Sequence, residues 1–283
     1  MNLTNINEIR SLLGRHGFHF SKSMGQNFLI ESWVPHDIAE AAGLDHTCGV
    51  LEIGPGIGPL TQQLALRAGK VAAIELDHAL LPILSETMGE YQNVEIILGD
   101  AMKLDLRELA ADKFNGLTAK ACANLPYNIT TPIITKLLEC GCFTAITVMI
   151  QREVAQRICA KPGDSDCGAF SLFCQYHAQC ELLFEVPPEC FIPAPKVTSA
   201  VLRLTPRCAP PVDADEKALF TVIKAAFAQR RKTLLNGLSA AYGSKFSKDE
   251  LRRALLDCGL SETVRGERLS LEDFARLSKI LHN

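Results

Sequence analysis

The sequence predicts a doubly wound, mostly parallel α/β sheet followed by a small helical domain, and three observations carry that prediction. Between about Cys48 and Ile150, short apolar runs alternate with longer amphipathic stretches, the order of a βαβ array. Those apolar runs lack polar alternation, which marks strands covered on both faces. Beyond a polar, turn-rich linker, RCAPPVDADE, only helical patterns remain.

Taken in order, GVLEIG is the first strand of the array, and PLTQQLALRAG is a helix with Leu60, Leu64 and Leu66 inward and Gly69 as its stop. KVAAIELD is the second strand, and HALLPILSETMGE a helix interrupted early by Pro82. VEIILGD and AKACANLPY are the third and fourth strands, TPIITKLLECG the next helix, and FTAITVMIQ the fifth strand. After Gly168, SLFCQYHAQCELLFEV and KVTSAVLRL read as β-rich and complete the same sheet. EKALFTVIKAAFAQRRKTLLNGLSAAYG, SKDELRRALLDCGL and SLEDFARLSKIL are helical, and SKDE and SLED each set an acid three residues after Ser, as a capping box requires. This places one domain at residues 1–206 and a helical domain at 207–283.

Composition narrows the class. The chain has 283 residues, 47% hydrophobic and 22% charged, which excludes collagen-like, disordered and coiled-coil proteins. No stretch approaches the roughly 18–20 apolar residues that span a bilayer. MNLTNINEIRSLL lacks the basic and apolar segments of a secretory signal, and Glu8 argues against a mitochondrial leader. A cytoplasmic protein with no membrane partner is therefore expected. The eleven cysteines form no C-x-x-C pair, so they are expected as reduced, small hydrophobes and no metal is expected. The net charge of −3 conceals a basic excess from Lys196 onward and an acidic excess before it. Such asymmetry suits a polyanionic partner at the basic end, although a solvated face has the same pattern.

The chemistry concentrates at strand ends. In LEIGPGIG, from Leu51 to Gly58, a strand closes on Gly54-Pro55-Gly56 before a helix, so backbone can approach a ligand closely. Pro59 stands where a dinucleotide fingerprint wants glycine or alanine, which mildly favours an adenosyl-methionine loop over a nicotinamide one. Glu75 ends the next strand, where an acid accepts from both ribose hydroxyls, and Asp77 competes for that role. Asp100 closes the third strand, placed to accept from an adenine amino group. Three consecutive strand ends bearing such groups point to an adenosine-bearing cofactor. Asn124-Leu125-Pro126-Tyr127 ends the fourth strand. An exocyclic adenine amine is a poor nucleophile, and two acceptors, the Asn124 side chain and the Pro126 carbonyl, would favour lone-pair character on it. Proline presents its carbonyl rigidly, and Tyr127 offers a flat surface for a base.

Together these motifs closely resemble the ribosomal RNA adenine dimethyltransferases, the kasugamycin-sensitivity family. The resemblance runs through MGQNFL (24–29), LEIGPGIGPLT (51–61), IELD (74–77), GDAMKLD (99–105), NLPYNIT (124–130), FIPAPKVTSAVLRL (191–204) and FAQRRKTLLNGL (227–238). It implies a Rossmann-like class I methyltransferase sheet, S-adenosyl-L-methionine as donor, and dimethylation of N6 on two adjacent adenosines near the 3′ end of small-subunit (16S) rRNA. It implies cofactor contacts from Asn27, Leu29, Gly54, Glu75, Asp100 and Asn124, and a target amine held by Asn124, Pro126 and Tyr127. Phe191 would stack on the other face of a flipped-out base. The partners implied are small-subunit rRNA and the pre-ribosomal small subunit, with a monomeric enzyme active in small-subunit biogenesis. Arg230, Arg231 and Lys232 would form a helical cluster for phosphate contacts, and Arg10, Arg15, His16, His19 and Lys22 a second RNA surface in the leader. The competing readings are a macrolide-resistance-type methyltransferase of large-subunit rRNA, a non-catalytic assembly factor, and a nicotinamide dehydrogenase.

Overall fold

A computed structural model of the chain describes residues 1–20, 26–229 and 231–282. Two compact units divide it: residues 1–155 with 179–206, and residues 156–178 with 207–283. One division falls at 206/207, and residues 156–178 group with the helical unit and not with the sheet.

In chain order the elements are α1 (Ile6–Arg15), β1 (Phe28–Leu29), α2 (Trp33–Ala41), β2 (Cys48–Ile53), α3 (Pro59–Ala65), β3 (Lys70–Glu75), α4 (Leu81–Met88) and β4 (Val94–Leu98). They continue with α5 (Leu106–Lys113), β5 (Thr118–Asn124), α6 (Thr130–Glu139), β6 (Ile146–Gln151), α7 (Arg152–Cys159), α8 (Ala169–His177), β7 (Ala178–Val186), β8 (Phe191–Ile192) and β9 (Ser199–Pro206). The last helices are α9 (Glu216–Phe227), α10 (Leu234–Tyr242), α11 (Lys248–Asp257) and α12 (Leu271–His282).

The main sheet runs β4-β3-β2-β5-β6-β9-β7. Strands β2 to β6 pair in parallel, and β9 joins β6 antiparallel. The order reverses between β2 and β5, the place where an open α/β sheet parts its loops to form a crevice at the strands' carboxyl ends. β2 is buried along its whole length, Glu52 included, as a central strand covered on both faces is. Pro82 lies in the first turn of α4 after a short 3-10 turn at His78–Leu80, so it starts the helix and does not interrupt it. SLFCQYH, read from sequence as strand, is helix α8; only from Ala178 does the chain extend as β7.

The helical unit has its own core, in which Leu172 and Tyr176 of α8 pack with Leu219, Ile223, Leu238 and Phe274. That packing decides the conformation of a short apolar run compatible with either helix or strand. Gly237 lets α10 lie against α9, since a Cβ there would come within 2.7 Å of the Ala225 carbonyl oxygen. Both predicted capping boxes are present: Ser247 and Glu250 exchange hydrogen bonds at α11, and Ser270 and Asp273 do so at α12. The single helix expected over 216–243 is broken, and Arg231 and Lys232 sit exposed in the turn between α9 and α10, not on a helix face. Arg230, Lys22, Met24 and Gly25 lie outside the described residues. In the leader, Arg15 and His16 both engage Glu86, at 2.5 and 2.7 Å, while Arg10 is exposed.

Candidate functional site

At the carboxyl ends of β2, β3, β4 and β5 a cavity opens, lined by Asn27, Leu29, Gly54, Glu75, Asp100, Asn124, Pro126 and Tyr127 among others. Eight of the sequence-predicted site residues thus meet in one place, although they come from five separate segments of the chain.

The turn after β2 positions them. Gly54 and Gly56 adopt φ of 72° and 62°, the left-handed region that side chains resist. At Gly56 a Cβ would also press on the Phe28 ring at 3.2 Å. Gly54 lies against Pro126, so the glycine turn and the Asn124–Tyr127 loop share one wall.

Glu75 and Asp77 separate cleanly. Glu75 is 5% exposed; its Oε1 accepts from the Asp77 backbone N–H at 2.7 Å, and its buried Oε2 has no hydrogen-bond partner. Burial pushes the Glu75 carboxyl up, opposed by the backbone amides of Asp77, Gly56 and Leu76. Asp77 instead caps the 3-10 turn through Ala79 N–H at 3.0 Å and accepts from Gln26 Nε2 at 2.8 Å. Of these two acids, Glu75 is the buried one with an unpartnered oxygen on the cavity. Asp100 holds its own turn through Met102 N–H at 2.9 Å and lies 3.7 Å from the exposed Lys103 ammonium.

At the tip of β5, Asn124 is the last residue of the parallel pairing of Ala121–Asn124 with β6, and the Leu125 N–H continues that ladder to the Met149 carbonyl. The Pro126 carbonyl accepts from Ile129 N–H at 3.2 Å and from the Thr130 hydroxyl at 3.3 Å. The same hydroxyl lies 3.3 Å from the Tyr127 carbonyl, so it has a second acceptor within reach. Tyr127 is anchored from beyond the loop: its hydroxyl bonds the Ser199 hydroxyl at 2.6 Å, and burial pushes its pKa up. Ser199, at the start of β9, is fully buried and 72 residues away in sequence, so nothing local in the chain signals its role. Ser199→Ala is expected to cost about 1–3 kcal/mol by leaving the Tyr127 hydroxyl unpaired, and Tyr127→Phe on that background to recover part of it. A double-mutant cycle by urea denaturation checks this, with additive effects as the contrary result.

One further acid lines the cavity that sequence reading passed over. Glu52, one residue before the end of β2, is 1% exposed and its Oε2 has no partner. Burial pushes its carboxyl up to about 8, with the Thr61 hydroxyl opposing and Glu75 adding to the shift. Its signal was available: a lone acid inside an otherwise apolar central strand.

Phe191 is not brought to the cavity. β8 pairs antiparallel with β1, setting Phe191 opposite Leu29, and the ring is 3% exposed within the core formed with Val186, Cys190 and Val201. As placed, its ring packs in the core and offers no face for stacking. Among the described residues, ligand atoms converge as a metal site would need only at His36, Asp37 and Glu40 on α2, of which His36 and Glu40 are exposed.

Comparisons with known proteins agree with this geometry. The family model described as ribosomal RNA adenine dimethylase matches residues 17–283. The ribosomal RNA small subunit methyltransferase A of Geobacillus thermodenitrificans is 48% identical over 96% of this chain and 94% of its own length. That of Alkaliphilus metalliredigens is 46% identical over 95% and 94%. Among solved structures, a dimethyladenosine transferase from Plasmodium falciparum superposes with a TM-score of 0.72 at 26% identity, covering 88% of this chain and 95% of that one. The 23S rRNA methyltransferase ErmE gives 0.69 at 25% identity, covering 90% and 100%. With a match running almost from end to end and a cavity assembled from the motifs that carry it, the chain belongs to the ribosomal RNA adenine dimethylase family.

Proposed function

We propose that this protein dimethylates N6 of two adjacent adenosines near the 3′ end of small-subunit (16S) rRNA, using S-adenosyl-L-methionine, during assembly of the small subunit in the cytoplasm. The observation that carries this reading is the convergence of Glu75, Asp100 and Asn124 at neighbouring strand ends, beside a turn whose glycines leave room for a ligand. The small-subunit assignment is supported by relatives 45–48% identical that bear that name.

The residues present suit that cofactor. Glu75 Oε2 is a buried acceptor without a partner, as a ribose diol requires. Asp100, Gly54, Asn27 and Leu29 line the same cavity, which supports Asp100 as the acceptor for an adenine amino group and Gly54 as the point of close backbone approach. When bound, S-adenosylmethionine supplies a methyl group already activated on a sulfonium, so the protein needs no strong base.

The chain's own work is positioning. Asn124 Oδ1 accepts one N–H of the target amine. The Pro126 carbonyl accepts the other when the Thr130 hydroxyl turns to the Tyr127 carbonyl. Held this way, the nitrogen keeps its lone pair out of conjugation with the ring. Tyr127, steadied by Ser199, presents its ring to the base, which must leave its stack to arrive there. Arg231, Lys232 and the leader's Arg10 supply phosphate contacts that position RNA without reading its sequence.

Glu75→Ala is expected to weaken S-adenosylhomocysteine binding about tenfold to a hundredfold by removing a charge-assisted acceptor, whereas Asp77→Ala has a several-fold effect. Calorimetry separates the two, and a larger loss for Asp77→Ala would return the role to Asp77. The same experiment with NAD distinguishes a dehydrogenase, which alone would bind it. Primer extension on both rRNAs from a strain lacking this protein tests the substrate. The expected result is loss of the stop in small-subunit RNA; loss only in large-subunit RNA would identify the macrolide-resistance activity instead.

A further inference from the structure

Most cysteines here behave as small hydrophobes: Cys122 and Cys190, for example, are buried and burial pushes their thiols up. Cys140 and Cys142 differ. Cys140 is the C-cap of α6, its N–H donating to the Lys136 carbonyl at 3.0 Å. Gly141 follows with φ of 62°, a conformation glycine adopts freely, and turns the chain back on itself. The result is a sulfur–sulfur distance of 3.4 Å between two half-buried thiols. The Cys140 sulfur also lies 3.1 Å from the Leu137 carbonyl. Arg107 is tethered beside them, its Nε donating to the Cys140 carbonyl at 2.7 Å.

Two thiols this close share a proton. Once Cys140 ionises, the Cys142 S–H donates to its thiolate, which holds Cys140 down at about 7 against the opposing effect of burial. Arg107 helps and Asp105 opposes. The same hydrogen bond raises Cys142, which keeps its proton while Cys140 is a thiolate. The first thiol is thus a nucleophile near neutral pH, and the second stands in contact with it.

We propose that Cys140 and Cys142 form a reversible dithiol–disulfide site that reacts with low-molecular-weight disulfides. The Cys140 thiolate attacks one sulfur of the small disulfide, forming a mixed disulfide and releasing one small thiolate. Cys142 then gives up its proton and attacks the Cys140 sulfur, closing an internal disulfide and releasing the second thiolate. Two protein thiols are oxidised, one small disulfide is reduced to two thiols, and the two protons pass to those products. The sulfurs need only close from 3.4 Å to bonding distance, a movement available to side-chain rotation at an exposed turn.

The test treats the full chain, without oxygen, with glutathione disulfide at pH 7 and maps the products by peptide mass. Cleavage after Lys136 and Arg152 places both cysteines in one peptide. That peptide is expected to lose two hydrogens, carry no glutathione, and recover with dithiothreitol. Its reaction is expected to be about threefold faster than that of an ordinary exposed thiol, for which Cys208 is the internal standard. Cys142→Ser is expected to trap glutathione on Cys140, and Cys140→Ser to leave Cys142 unreactive. A peptide that stays reduced while Cys208 is modified would overturn the proposal, as would glutathione remaining on Cys140 in the unaltered protein.

Discussion

Asn124→Ala is expected to slow methyl transfer about a thousandfold while leaving small-subunit binding nearly unchanged. The magnitude follows from removing one preorganised hydrogen-bond partner of the reacting group, worth about 4 kcal/mol in the transition state. Its selectivity follows from where Asn124 sits. It lies at the tip of β5, inside the cavity, whereas Arg231 and Lys232, which are assigned to phosphate, are exposed in the turn between α9 and α10. On the proposed roles, binding and chemistry would be supplied by different parts of the chain. Single-turnover methylation and subunit co-sedimentation on the same preparation separate them. Methylation within tenfold of the unaltered protein would remove Asn124 from the chemistry. A protein that neither binds nor methylates would show that its effect is structural.

The second large effect concerns Glu52 and pH. Its folded carboxyl titrates at about 8, against an ordinary value of 4.5, because burial penalises the charged form. Between those two values the folded chain holds a proton that the unfolded chain has released. Stability therefore falls as pH rises through that window, by about 1.4 kcal/mol per pH unit, and levels off above about 8. Below 4.5 both states are protonated and the group has no such effect. Glu52→Gln removes the titration while keeping the shape, so it is expected to gain on the unaltered protein by about 3 kcal/mol at pH 7. Urea denaturation of both proteins at a series of pH values reads this directly. A difference between them that stays constant from pH 5 to 8 would mean that Glu52 ionises normally in the fold. An acid retained at such a cost, one strand from Glu75 and on the same cavity, fits a site that favours ligand over stability.

Glu52 also marks the limit of what could be read from the chain alone. Apolar runs ending in Gly54, Glu75, Asp100 and Asn124 were legible because βαβ connectivity brings successive strand ends to one edge of a sheet. The glycine turn was legible because left-handed backbone restricts the residue type. Contacts across long sequence separations were not. Ser199 reaches Tyr127 through the antiparallel return of β9, and no local pattern encodes that meeting. SLFCQYH (171–177) reads as strand because it is short and apolar, and only packing of Leu172 and Tyr176 into the helical core decides otherwise. The burial of Phe191 was hidden for a related reason: in a two-residue strand no alternation shows which face is buried. The turn at Arg231 and Lys232 was hidden because AFAQRRKTLL is helix-compatible throughout. There the Thr233 N-cap and the Leu234 N–H bond to the Val264 carbonyl begin a new helix.

On the proposed function, the polar tip of β5 directs methyl groups onto adenine N6 in small-subunit RNA. Nucleoside and oligonucleotide mass spectrometry of that RNA, after incubation of unmethylated small subunits with the protein and S-adenosylmethionine, addresses it most directly. The result predicted is N6,N6-dimethyladenosine at two adjacent positions near the 3′ end, absent with the Asn124→Ala protein. Methyl groups on another atom, on large-subunit RNA alone, or on the same adenosines with Asn124→Ala at full rate would contradict it.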